Sequence, residues 1–162
     1  MAVGGVRPGA ASLTGAPLRK NTANDCSAAS RRGRAPLIVP RASLSFRQLP
    51  GRSTADPFAE VRPSTLSLRV VYLEAGARRS PHRHPHSHEA IYVLRGRGVL
   101  WENGATSPFG EGDCALIDPG VAHATIPDPS NDMELVCFFP HPELPANTEE
   151  LPDVVVVEGT GR

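Results

Sequence analysis

No stretch of this chain is long enough and apolar enough to cross a membrane as a helix, and nothing in it calls for a membrane partner. Cysteine is scarce. Cys26, Cys114 and Cys137 form no CxxC pair and no disulfide framework, which fits a reducing compartment. Sustained helical periodicity is nearly missing as well, so a helical fold is not expected. Net charge is also lacking, with 17 basic against 17 acidic residues, but the balance hides an asymmetry. Up to residue 50 there are eight basic residues and one acid, Asp25; from residue 51 on there are nine basic residues and 16 acids. The chain thus reads as a basic arm followed by an acidic domain.

The arm, residues 1–42, is rich in alanine, serine, glycine and arginine and carries no apolar core of the kind a secretory signal needs. Serine-rich, arginine-rich, acid-poor N-termini resemble organelle transit peptides. Its close, LIVPRAS, resembles a plastid processing region with cutting near Arg41 to Ser43. The competing readings are a disordered basic extension of a cytoplasmic protein and an upstream start codon wrongly chosen. A basic arm can also touch nucleic acid without sequence preference, but no specific nucleic-acid partner is expected.

Residues 43–162 read as one domain of short strands separated by turn residues. SLSFRQL alternates, and LPGRSTADPF then breaks the pattern. Leu66 to Gly76 is a strand, β-branched at its centre and ended by glycine. Ala90 to Leu94 and Val99 to Glu102 follow, with Asn103-Gly104 as a tight-turn signal. Gly110 to Asp113 is another turn before CALID, and Met133 to Phe139 is a strand stopped by PHPELP. DVVVV, from Asp153, is expected as a last strand that packs back on the sheet or exchanges between two copies. Such a series argues for an all-β sandwich or barrel. Cys114 and Cys137 fall in strand-like runs and are expected as packed thiols, although either could line a barrel interior.

The chemistry concentrates in SPHRHPHSHE, Ser80 to Glu89, which holds four of the six histidines. Imidazole and carboxylate suit divalent first-row metals: iron, manganese, nickel, copper or zinc. In extended backbone His82 and His84 project to the same side. Glu89 lies an odd step beyond His84, so the chain must turn between them, and Pro85 and Ser87 permit it. A solvated, adventitious metal-binding tract is the plain alternative. A ligand from far along the chain decides against it, and His123, after Asp118-Pro119-Gly120, is available.

At these residues the sequence resembles the cupin superfamily. Gly76, His82, His84, Glu89 and Gly96 match its first motif, with gaps of five, one, four and six residues. Gly112, Gly120 and His123 match the second, while Asp118 stands where a proline is usual and Pro127 where asparagine is usual. The resemblance covers roughly residues 66 to 140 and implies a double-stranded β-helix, the cupin jelly-roll barrel, with a homodimer through its sheets. It implies His82, His84, Glu89 and His123 as ligands, because only the pair His82 and His84 leaves the family's gap before Glu89. His86 and His88 are then expected on the connecting loop, as donors behind the ligands, a pocket rim or solvated side chains.

Such a set leaves positions open on the ion, as catalytic sites do. The expected function is therefore a metal-dependent enzyme acting on a small molecule. Iron, nickel or copper would favour oxygenation, and manganese or zinc lyase, isomerase or decarboxylase chemistry. The alternative is a cupin that binds or senses a small ligand without turnover. Tyr92, Trp101 and Asp118 are possible pocket groups. Tyr92 is out of phase with Glu89 and expected outside, Trp101 is expected in the core, and Asp118 either caps a turn or serves as an acid or base. A reporter fused to residues 1–42 is expected to accumulate in plastids; a cytosolic reporter would remove the targeting reading.

Overall fold

The computed structural model describes residues 37–156, apart from residues 62 and 64. Residues 1–36 of the basic arm and residues 157–162, from the last valine of DVVVV on, lie outside the described residues. Eleven strands are described: β1 (Arg47–Leu49), β2 (Arg52–Ala55), β3 (Ser67–Leu73), β4 (His82–Arg83), β5 (Glu89–Arg95), β6 (Arg97–Glu102), β7 (Ala105–Gly110), β8 (Cys114–Ile117), β9 (His123–Pro127), β10 (Met133–Phe139) and β11 (Glu149–Glu150). They form two antiparallel sheets, ordered β1-β2-β3-β10-β5-β8 and β11-β4-β9-β6-β7. This is the all-β jelly roll expected from the sequence. No helix among the described residues is long and apolar enough to cross a membrane.

Alternation along the strands decides which residues face inward. On β5, Glu89, Ile91 and Val93 are buried while Tyr92 and Leu94 face out. Across the interior, Leu73, Val93, Leu135 and Phe139 of the larger sheet meet Leu100 and Phe109 of the smaller one. A second cluster, Trp101, Ala124 and Ile126, lies on the alternate positions of β6 and β9, with Val99, Ala122 and Val156 packed against it. Strand β9 is therefore buried at every residue, its His123 and Thr125 facing the interior cavity and Ala124 and Ile126 this cluster.

Several local expectations are corrected. The break at LPGRSTADPF is a hairpin: Leu49 pairs with Arg52, and β2 continues into the sheet against β3. Strand β7, which follows the Asn103-Gly104 turn, carries Pro108 at the sheet edge, where a missing N–H is tolerated. The described part of DVVVV is not a strand, because Val154 N–H turns back to the carbonyl of Leu151. It nevertheless returns to the sheet through Val156. The last strand is instead β11, paired with β4. Cys137 is buried as expected, whereas Cys114 is exposed on β8. At the end of the arm, a 3₁₀ turn spans Arg41–Ser43, and Arg41 pairs with the buried Glu134 of β10.

Two turns are dictated by backbone geometry. Asn103 and Gly104 both have positive φ, +45° and +94°, as the hairpin between β6 and β7 requires. Gly96 (φ +89°) lets the chain pass so close that a Cβ would stand 2.0 Å from the carbonyl oxygen of Asp132.

Candidate metal centre

Three strands deliver the centre. Strand β4 opens with His82, directly paired with His123 at the start of β9. His84 follows β4, and its carbonyl accepts from Gly120 N–H at 2.9 Å, tying the histidine segment to the turn before His123. The chain then turns through Pro85 to His88 and re-enters the sheet with Glu89 as the first residue of β5. The two-residue step from His82 to His84 and the turn before Glu89 together bring one donor atom of each of His82, His84, Glu89 and His123 within 4.8 Å of one another. All four side chains are buried.

Hydrogen bonds behind the rings orient two of the imidazoles. His84 Nδ1 donates to the carbonyl of Asn147 at 2.8 Å, with Thr148 Oγ1 at 3.3 Å. His123 Nδ1 donates to the carbonyl of Val121 at 3.0 Å. A neutral imidazole that donates at Nδ1 carries its lone pair at Nε2. These Nε2 atoms lie 3.0 Å and 2.9 Å from the same Glu89 oxygen, Oε2. Lone pairs on nitrogen therefore face a carboxylate oxygen, an arrangement that repels unless positive charge lies between them. Protons can supply it, and so can a metal ion; the donor set, imidazole and carboxylate, fits a divalent transition ion.

Electrostatics agree with that reading. Burial alone would raise the Glu89 carboxyl, but a proton held between it and His123, and then His84, outweighs burial and holds it well below the usual carboxylate range; positive charge between nitrogen and oxygen is what the site favours. Burial, reinforced by the Arg79 guanidinium, holds His82 well below the ordinary imidazole value, so it is neutral near pH 7. Neutral imidazole is the form that binds metal.

His82 is held differently from the other two. Its Nδ1 accepts from Arg79 Nη2 at 2.9 Å, since a guanidinium only donates. Ligation through Nδ1 would displace Arg79, and ligation through Nε2 would move the ring proton to Nδ1 and remove the acceptor. Either way Arg79 must leave His82 when that imidazole takes a metal.

The centre lines a cavity of about 350 Å³ between the sheets. Thr125, Cys137, Phe139 and Thr148 share its wall, and arginines line it as well. Burial first, then the Glu89 charge, raises Cys137 well above the ordinary thiol value, so it stays protonated. His86 and His88 stay on the exposed connecting loop, outside the group. His88 Nε2 lies 3.3 Å from Asp118 Oδ1, and both side chains are well exposed. Asp118, weighed above as an acid or base, is not among the residues lining the cavity. Tyr92 is exposed on the outer face, and Trp101 is buried in the second cluster, as expected of each.

Sequence reasoning passed over Asn147. Fully buried, it accepts His84 at its carbonyl and His86 N–H at its Oδ1, and donates from Nδ2 to Ser87 Oγ, each at 2.8 Å. One residue thus fixes both, the histidine loop by its side chain and the orientation of His84 by its backbone carbonyl. Arg52, Arg79 and Glu150 were also passed over; of these only Arg79, beside the histidine tract, offered a local signal.

With this geometry in hand, comparison with known proteins is informative. The family model for the cupin domain matches residues 69–139. None of the curated proteins matches the chain by sequence. Among solved structures, a Streptomyces nucleoside dehydratase in a variant solved with uridine superposes with a TM-score of 0.62 at 15% identity, covering 76% of this chain and 95% of that one. The polyketide cyclase RemF from Streptomyces resistomycificus gives 0.58 at 20% identity, over 65% of this chain and 80% of that one. A cupin sugar phosphate isomerase from Silicibacter pomeroyi gives 0.57 at 21% identity, over 65% and 76%. At such identities these structures share the fold. Residues 69–139 thus match the cupin domain, within a fold that these structures share.

Proposed function

We propose that this chain is a metal-dependent enzyme that acts on a small molecule in its barrel cavity, with His82, His84, Glu89 and His123 holding one divalent transition ion. The observation that carries the reading is the pair of imidazole lone pairs, fixed by backbone carbonyls, that face one buried carboxylate oxygen on the cavity wall. Three neutral imidazoles and one carboxylate would leave a divalent ion net positive and able to polarise a substrate oxygen.

Lyase or isomerase chemistry is favoured over oxygenation. A dehydratase, a cyclase and a sugar phosphate isomerase share this fold, and their chemistry supports that preference. The chain's own contribution is positional. Asn147 and Val121 hold two imidazoles by their far nitrogens, Phe139 packs edge-on against His84 with ring centroids 4.8 Å apart, and the apolar lining limits water around the group. A binding or sensing role without turnover is the second reading, and only a turnover assay separates the two.

A homodimer belongs to the same proposal. Leu94, Tyr92, Leu116 and Phe138 are exposed on the outer face of the larger sheet. They cluster because Ala90 pairs with both Leu116 and Phe138, and Tyr92 with Cys114. Burying that face against a second copy would remove apolar surface from water.

Ligand identity is tested by metal retention. Replacing His82, His84 or His123 by alanine is expected to abolish retention of a stoichiometric ion, whereas His86→Ala or His88→Ala should cost no more than about 10–100-fold in affinity. A His123→Ala protein that keeps its metal, with the four clustered histidines contributing equally, would return the site to a solvated tract. Activity class is tested on protein purified without a histidine tag. Manganese or zinc with no substrate-dependent oxygen uptake is the expected result, and iron with such uptake would place oxygenation first. Sedimentation of that preparation is expected to give twice the chain mass; a monomer at all concentrations would remove the dimer.

A further inference from the structure

The cavity is lined by four arginines, Arg47, Arg52, Arg69 and Arg79, against two carboxylates, Glu89 and Glu150. Their engagements differ. Arg69 Nη1 is held by Asp56 Oδ2 at 2.8 Å and by the carbonyl of Leu68 at 2.7 Å. Arg47 is exposed on β1, and Glu89 belongs to the histidine group. Arg52 and Arg79 remain, and they share a single acid. Glu150 Oε1 lies 3.5 Å from Arg52 Nη2 and 3.6 Å from Arg79 Nη2. Charge-assisted bonds of this type close to about 2.7–2.9 Å when they are well made. Two cations thus hold one anion loosely.

Burial sharpens the mismatch. The side chains of Arg52 and Arg79 are only 17% and 12% exposed, while that of Glu150 is 49% exposed. The cations are therefore part of the wall, and the acid reaches in from the edge strand β11. Arg79 Nε is buried and has no hydrogen-bond partner. Its Nη2 contact to His82 is the one that metal ligation by that imidazole removes. With His82 engaged, a nearly buried guanidinium would have two poorly satisfied donors and half a share of one carboxylate. Leaving buried polar groups and charge unmatched is costly, and an oxyanion in the cavity answers both needs.

We propose that the cavity takes an anionic small molecule bearing a carboxylate or phosphate group, and that Arg52 and Arg79 hold its oxyanion where the Glu150 carboxylate now stands. The proposal rests on the reading of this cavity as a substrate site beside a metal. Glu150 acts as a stand-in that keeps the arginines paired in the absence of substrate and swings to solvent when substrate enters; its half-exposed side chain on the short edge strand has room to do so. The planar guanidinium suits this task, since it offers paired donors to a carboxylate or phosphate. The anion is thereby oriented from one side of the cavity while its reacting atoms face the histidine group on the other.

The full chain, loaded with zinc, is titrated calorimetrically with succinate, with inorganic phosphate and with neutral succinamide, and the zinc content of every sample is measured. Succinate or phosphate should bind and succinamide should not, the better of the two anions identifying the head group. Arg52→Gln and Arg79→Gln should weaken that binding at least tenfold without loss of zinc, and Arg79→Lys should recover part of it. Glu150→Gln, at a half-exposed position with little bearing on folding, should tighten it severalfold by removing the competitor. Equal binding of succinate and succinamide overturns the proposal. So does anion binding that neither arginine variant nor Glu150→Gln alters, since the anion would then sit on the metal alone. Zinc retained with no anion bound overturns it while sparing the metal reading. A parent chain that holds no zinc but binds the anions through Arg52 and Arg79 overturns the metal reading and leaves the anion site standing.

Discussion

The centre of this protein is a repulsion that the fold itself creates. His84 and His123 each have one nitrogen tied to a backbone carbonyl, and the other then faces Glu89 Oε2 at 3.0 Å and 2.9 Å. The carboxylate is buried, where an unpaired charge costs several kcal/mol. The rings cannot turn away without breaking their bonds to Asn147 and Val121. A cation between the donors would turn this unfavourable cluster into a stabilising one, so a bound metal and the rigidity of the interior would support each other.

The barrel exists around that constraint. Pairing of β4 with β9 sets His82 beside His123, and β5 carries Glu89 into the interior on the same face as Ile91 and Val93. Apolar packing between the sheets encloses the group, while Asn147, from the segment just before β11, holds the histidine loop from behind. The same short strand presents Glu150 to the cavity, so one edge element both buttresses a histidine and supplies the acid that faces Arg52 and Arg79. Small changes in that segment therefore reach both the candidate metal ligands and the proposed anion pocket.

What the sequence made legible follows from how local each signal is. The spacing from Gly76 to Gly96 lies within one strand–turn–strand unit, so the grouping of His82, His84 and Glu89 could be read along the chain, and the turn before His123 marked the fourth member. The inward phase of Glu89 likewise placed Tyr92 outside. Less local features were opaque. Asn147 acts on His84 through a backbone carbonyl 63 residues away, a contact that no spacing announces. Arg52 was hidden because Pro50-Gly51 looks like a break, although it makes the hairpin that turns Arg52 toward the cavity. The valine run near the end has strand composition, but its backbone turns back at Leu151 and its apolar surface is satisfied by packing on Trp101's cluster. Asp118 stood close to His123 in sequence and drew attention for that reason, yet it faces His88 in solvent.

The most direct test of this account is X-ray absorption at the metal edge of the full chain reconstituted with one equivalent of zinc. The account predicts one ion per chain, bound by three imidazole nitrogens and a carboxylate oxygen at roughly 2.0–2.2 Å. A sphere built from four imidazoles without a carboxylate, or a spectrum unchanged in His123→Ala protein, would contradict it.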